Sequence, residues 1–225
     1  MLKAVLFDMD GVIVNTEPLH RKAYFKMFND VNIDVPEDLY VSFTGQSTMA
    51  ICNTLIQHFG LRMGPQTLVD LKRDHFKVLF EGDPSLKLLE GVLDVIKDYY
   101  NNGLTLVLAS SASMENINNI FKRFDLDQYF VAKLSGADLK ASKPHPEIFE
   151  KAAQASGHQP HECMVIEDST NGIKAAKEAG IFCVGYDSFH SHDQDYSLAD
   201  IVISNFKEIR YKSIVAQFAE VLEEK

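Results

Sequence analysis

The chain of 225 residues predicts an α/β fold: a doubly wound parallel (Rossmann-like) sheet interrupted by an inserted helical unit. Three observations carry that expectation. Six short apolar runs read almost continuously rather than alternating, as strands buried on both faces do. Helical spacings fill the gaps between most of them, the alternation that builds a parallel sheet. One long stretch, residues 15–84, has helical spacing and no strand.

The elements follow in order. Lys3–Phe7 is the first strand. Helical patterns at His20–Phe28, Thr48–Phe59 and Gln66–Phe80 then occupy the insert, with Phe25, Phe28, Phe59 and Phe76 expected in its own core. The chain returns through Glu81-Gly82-Asp83-Pro84-Ser85, a hinge composition. Residues 1–14 and 85–225 are thus assigned to the sheet domain, and 15–84 to a helical cap. Val92, Val95, Ile96 and Tyr99 mark a helix that Gly103 stops. Strands are expected at Leu104–Ala109, Tyr129–Leu134, Cys163–Ile166, Ile181–Gly185 and Ile201–Ile203. Helices between them are marked by Ile117, Ile120, Phe121 and Phe124, by Ile148, Ala152 and Ala155, and by Ile173, Ala176 and Ala179.

Composition narrows the function. With 22 Lys+Arg against 32 Asp+Glu the net charge is −10, which argues against nucleic acid or an anionic membrane as obligate partner. Cys52, Cys163 and Cys183 stand far apart in apolar surroundings, as buried free thiols do. Ala4–Phe7 is too short for a signal sequence, and no run approaches the ~18 apolar residues of a membrane span. A soluble, cytoplasmic protein is expected, and a monomer, since no surplus apolar helix asks for a partner. His190 and His192 lie among Ser and Asp and read as a polar loop.

Chemistry in a parallel sheet gathers at the carboxyl ends of the strands. Asp8-Met9-Asp10-Gly11 follows the first strand, Ser110-Ser111 the second, Lys143-Pro144 the third and its loop, and Glu167-Asp168 the fourth. Asp8, Asp10, Glu167 and Asp168 cannot all ionise close together without a cation, because like charges raise one another's pKa. Hard oxygen donors without Cys or His suit Mg²⁺. Ser110 and Ser111 precede a helix, where free N–H groups seat an anion, and Lys143 can neutralise a phosphoryl oxygen.

These four segments, in this order, resemble the motifs of the haloacid dehalogenase superfamily. Asp8-Met9-Asp10-Gly11-Val12-Ile13-Val14-Asn15-Thr16-Glu17 is similar to the first, Ala109-Ser110 to the second, Ser142-Lys143-Pro144 to the third and Ile166-Glu167-Asp168-Ser169-Thr170-Asn171-Gly172 to the fourth. Within the superfamily the similarity is strongest to β-phosphoglucomutase-like phosphatases. The resemblance implies a Mg²⁺-dependent phosphatase acting on a small phosphorylated metabolite such as a sugar phosphate. Asp8 is then the nucleophile that forms an aspartyl-phosphate, and Asp10 the acid–base group. The metal set is Asp8, Asp10 through its backbone carbonyl, and Asp168, with Glu167 either a direct ligand or a support behind them, and Ser110 and Lys143 bind the phosphoryl oxygens.

The resemblance also implies that the cap closes over the site. Thr16, His20, Gly45, Gln46, Ser47, Thr48 and Lys72 are its substrate-binding candidates, with Arg73 beside them and Ser111 and Asn171 on the core. The mutase pattern has an Arg where this chain has Thr48, which cannot replace a guanidinium. That favours hydrolysis over the alternative, interconversion of β-glucose 1-phosphate and glucose 6-phosphate. A phospho-acceptor signalling domain shares clustered acids, a hydroxyl and a Lys, but needs neither Asp10 nor a cap. Haloacid dehalogenation shares the nucleophile and leaves the Glu167-Asp168 pair without a use.

Overall fold

The computed structural model describes residues 1–188 and 193–223, so His190 and His192 lie outside the described residues. Six strands, β1 (Ala4–Phe7), β2 (Thr105–Ser110), β3 (Ala132–Ser135), β4 (Cys163–Glu167), β5 (Phe182–Tyr186) and β6 (Ile201–Ile203), form one sheet. Every pairing is parallel and the order is β3-β2-β1-β4-β5-β6. The order reverses between β1 and β4, and such a switch point opens the crevice where doubly wound folds bind ligands.

The unbroken apolar runs are divided by the pleat. Val5 and Phe7 of β1, with Leu106, Leu108, Met164 and Ile166, enter one core layer. Ala4 and Leu6, with Val107, Ala109, Cys163 and Val165, enter the other. Between β1 and β2 the chain forms α1 (Glu17–Asp30), α2 (Glu37–Val41), α3 (Thr48–Phe59), α4 (Pro65–Glu81) and α5 (Val92–Asn101). The first four surround their own apolar cluster, centred on Met27, Cys52, Leu55 and Leu68. The remaining helices are α6 (Met114–Phe124), α7 (Glu147–Ser156), α8 (Thr170–Glu178) and α9 (Tyr211–Glu223).

Two expectations are corrected. Phe76 does not join the core of α1–α4; it stacks on His20 at 4.3 Å and belongs to a sheet-side layer. The third strand starts at Ala132, because Phe130 packs edge-on against Phe7 and Phe121 before the chain straightens. Helices α2 and α9 carry no expectation above; α2 is only five residues long. The three cysteines are buried and free. Among the described residues no helix is long and apolar enough to cross a membrane.

The two connections to the helical insert run side by side. Val14 pairs with Leu88, and Leu89 donates to the Ile13 carbonyl at 2.9 Å. Arg123 of α6 clamps the returning strand of chain, donating to the carbonyls of Phe80 and Asp83 at 3.3 and 2.6 Å.

Candidate active site

The ends of β1 and β4 meet because Asp8 N donates to the Ile166 carbonyl at 3.0 Å, which sets Asp8 beside Glu167. Lys143 arrives between them. Its ammonium, 1% exposed, donates to Asp8 Oδ1 at 2.5 Å, Glu167 Oε1 at 2.7 Å and the Ala109 carbonyl at 3.1 Å. Three protons meet three acceptors, the arrangement that lets a charge stay buried. The two carboxylates push the ammonium up against its burial. For Asp8, burial is the larger effect: with Glu167 and Asp10 adding negative charge, it pushes the carboxyl up to about 7 although Lys143 lowers it.

Glu167 is fully engaged by the protein. Its Oε2 accepts from Ser169 N and Ser169 Oγ at 2.8 and 3.0 Å, while Lys143 holds Oε1. Ser169 also caps α8 by accepting from Gly172 N at 3.0 Å. Gly172 is a necessity here, since a Cβ at that position would lie 1.7 Å from Glu167 Oε1. Gly11 makes the same kind of room for Asp168: with φ +88°, its Cβ would fall 2.0 Å from Asp168 Oδ2.

Asp10 faces the other way. Its Oδ1 accepts from the Thr16 hydroxyl and lies 3.5 Å from His20 Nε2. Lys72 Nζ stands 2.6 Å from His20 Nδ1. An ammonium has no lone pair, so a charged Lys72 makes Nδ1 the acceptor and puts the ring proton on Nε2, toward Asp10. Burial raises the Asp10 carboxyl, but the hydrogen bonds of His20 and the Thr16 hydroxyl and the charge of Lys72 outweigh it and hold Asp10 low. Burial pushes Lys72 down to about 8 against the pull of Asp10 and Glu17.

The donor set fits a divalent cation of the Mg²⁺ kind. Glu167 is bonded to Lys143 and Ser169, and Asp10 Oδ1 to Thr16 beside His20. The four acids Asp8, Asp10, Glu167 and Asp168 all line the cavity. Among the described residues no three His, Cys, Asp or Glu side chains form a ready-made metal cluster. Mg²⁺ needs none, since it binds through one or two carboxylates and keeps water and phosphate oxygens as its other ligands.

A cavity of about 140 Å³ covers this rim. Asp8, Asp10, Ser110, Glu167 and Asp168 lie on its sheet side, and His20, Lys72, Gly45, Gln46 and Thr48 on its helical side. Ser110 Oγ accepts from Ala112 N at 3.1 Å, which orients the hydroxyl at the start of the loop into α6. Four expected substrate contacts have other partners. Ser111 Oγ donates to the Gly45 carbonyl at 2.8 Å and Asn171 Nδ2 to the Thr44 carbonyl at 2.7 Å, so both bind the helical insert. Ser47 caps α3, accepting from Ala50 N at 3.3 Å, and Thr16 holds Asp10. Arg73 lines an adjoining cleft instead. Asn15, Glu17, Tyr24 and Tyr40 also line the cavity and were not among the expected contacts. Glu17 stands next to Thr16 in the first motif, and its acidic first-turn position was the one available signal.

The comparisons with known proteins agree with this geometry. The family model for haloacid dehalogenase-like hydrolases matches residues 5–186. Protein CbbY of Cereibacter sphaeroides is 27% identical over 222 residues, 93% of this chain and 94% of the relative. A phosphorylated carbohydrates phosphatase of Thermotoga maritima is 29% identical over 180 residues, covering 80% and 82%. Among solved structures, a β-phosphoglucomutase of Clostridium difficile superposes with a TM-score of 0.87 at 25% identity, covering 99% of this chain and 100% of that one. The family match over residues 5–186, with a switch-point cavity lined by Asp8, Asp10, Ser110 and Asp168 above the buried Lys143, therefore identifies the chain as an enzyme of the haloacid dehalogenase-like hydrolase family.

Proposed function

We propose that the enzyme is a Mg²⁺-dependent phosphatase of a small phosphorylated metabolite, of sugar-phosphate type, working through an aspartyl-phosphate. The observation that carries the reading is the Lys143 tripod, which holds the Asp8 carboxylate at the cavity floor while neutralising the charge that gathers there. Relatives named as phosphatases of phosphorylated carbohydrates support it.

Asp8 Oδ2 attacks the phosphorus in line as the ester oxygen leaves. Ser110 faces an equatorial oxygen, while Lys143, its protons held by Asp8, Glu167 and the Ala109 carbonyl, offsets the charge beneath it, and positioning with charge neutralisation supplies most of the rate. Asp8 and Asp168 would hold the cation, with backbone oxygen at Asp10; bound there it neutralises phosphoryl charge. Asp10 protonates the leaving oxygen and then takes a proton from the water that hydrolyses the acyl phosphate. Its proton affinity rises when the phosphate dianion arrives beside it. His20 and Lys72 orient its carboxylate from the opposite side. Residues 15–84 act as a cap that excludes bulk water during the transfer.

The mutase alternative is disfavoured by Thr48, which lines the cavity and brings no cation. Phosphate release is measured from sugar phosphates, nucleotides and pyrophosphate, with Mg²⁺ or EDTA, for wild type and Asp8→Asn. Release that requires both Mg²⁺ and Asp8 is expected. Isomerisation of β-glucose 1-phosphate without release would mean a mutase.

A further inference from the structure

We infer that Arg123, which lines neither the cavity nor the adjoining cleft, is a positioning residue for the acid–base group Asp10, acting through the stacked rings of Phe80, Phe76 and His20; the inference rests on the phosphatase reading above. The chain of contacts starts at Asp10, whose Oδ1 lies 3.5 Å from His20 Nε2. Two side chains of α4 fix the rest of that ring. Lys72 Nζ stands 2.6 Å from Nδ1, and Phe76 stacks on the imidazole with centroids 4.3 Å apart and planes 20° from parallel. Phe80 stacks on Phe76 in turn, at 6.0 Å and 20°. Lys72, Phe76 and Phe80 stand at i, i+4 and i+8, so they share one face of α4 and move with it.

Arg123 decides where that face stands. Its Nη1 donates to the Phe80 carbonyl at 3.3 Å, and its Nη2 to the carbonyls of Asp83 and Leu86 at 2.6 and 3.5 Å. The guanidinium carbon lies 5.2 Å from the centroid of the Phe80 ring and 5.7 Å from that of Phe124. The last turn of α4 ends on Glu81 and carries no basic residue, although the carbonyl end of a helix favours a cation. Arg123 supplies that cation from the core. It sits near the end of α6, an 11-residue helix capped at its start by Ser113, which accepts from Asn116 N at 3.4 Å. Ser113 is three residues beyond Ser110, and Ile117, Ile120 and Phe121 bury α6 against the sheet. One helix thus joins the phosphate seat at its start to the end of α4 at its finish, and so sets the acid–base group against the phosphate.

The competing role for Arg123 is to secure the return of the chain and nothing more. The two roles differ in their chemistry. A residue that only secures the chain affects every ester alike. One that sets Asp10 through His20 matters in proportion to the need of the leaving oxygen for a proton: an alkoxide needs one, whereas a nitrophenolate leaves as the anion. A displaced His20 leaves Asp10 to the Thr16 hydroxyl, and a catalytic group moved by a fraction of an ångström loses much of its effect.

The test compares kcat/KM for benzyl phosphate and p-nitrophenyl phosphate, two single-ring monoesters that differ mainly in whether the leaving oxygen needs a proton. kcat/KM covers the steps through release of the alcohol, where Asp10 acts as the acid. Asp10→Asn sets the scale, with the benzyl-to-nitrophenyl ratio expected to fall about a hundredfold. Arg123→Ala and Phe76→Leu are each expected to lower the same ratio by roughly threefold to thirtyfold. A folding defect or a loosened chain lowers both esters together, so a ratio that stays at the wild-type value in either variant overturns the proposal. A ratio that also stays there in Asp10→Asn overturns it through the acid–base role on which it depends. Absence of Asp8-dependent release from both esters would instead sink the phosphatase reading, and this proposal with it.

Discussion

Asn171 Nδ2 stands 2.7 Å from the carbonyl of Thr44, joining the start of α8 to a loop of the helical insert 127 positions earlier. Ser111 repeats the contact on the next residue, Gly45, from the opposite side of the switch point. These two bonds fasten the insert over Asp8.

The fastening predicts a weakened closed state when either donor is removed. A neutral hydrogen bond contributes about 1 kcal/mol, roughly a fivefold change in an equilibrium. Asn171→Ala or Ser111→Ala is expected to lower kcat/KM severalfold and to speed hydrogen exchange in residues 81–85. Exchange and kcat/KM both matching wild type would count against the fastening.

Gly45 has no space for a side chain. Its φ is +79° and a Cβ would lie 2.5 Å from Ser169 Oγ, which is itself tied to Glu167 and α8. Left-handed backbone costs a residue with a Cβ about 1–2 kcal/mol. Gly45→Ala is expected to cut kcat/KM at least about tenfold while the melting temperature moves only a few degrees, because the loop can lift away from the core. A variant as active as wild type would show that the loop does not need this seat.

At Gly172 the intrinsic preference and the packing conflict. Alanine within α8 should gain about 1 kcal/mol of helix propensity. Its Cβ would displace Glu167 and strip Lys143 of a partner, a loss of about 3 kcal/mol or more for a buried pair. Gly172→Ala is therefore expected to lower the thermal midpoint, and a raised midpoint would refute the packing argument.

Lys72 gives the activity a basic limb. Its ammonium titrates near 8, so His20 loses its charged partner as pH rises through that value. kcat/KM is expected to fall above pH 8 and the limb to move to higher pH in Lys72→Arg, which stays charged. The stability effect has the opposite sign. The folded value lies below the ordinary 10.5, so the charged ammonium opposes folding; the penalty is complete below about 8 and fades as pH rises toward 10.5. Lys72→Met is expected to remove that pH dependence in denaturant unfolding.

Much of the molecule was legible before folding. Continuous apolar runs located the strands to within a residue or two, except where Tyr129 and Phe130 imitate a strand but pack as a turn. Helix spacing placed α1, α3 and α4 and exposed the insert by the lack of any strand. Short α2 left too few turns for a period to show. The motif order brought Asp8, Asp10, Ser110, Lys143 and Asp168 to one rim because parallel strands deliver their carboxyl ends to the same edge.

Residue type and order therefore determined the fold class, the rim of carboxylates and its lysine. Which oxygen faces which partner is a property of three-dimensional approach. Asp10 and Glu167 stand in the sequence simply as acids of the rim, and only the distances show Glu167 bonded to Lys143 and Ser169 and Asp10 turned to Thr16 and His20. Ser111 and Asn171 have the chemistry to bind substrate, but the fold spends it on Gly45 and Thr44. Hydrogen bonds and charges act over a few ångströms, while their partners here lie up to 135 residues apart, so tertiary structure decided the pairings.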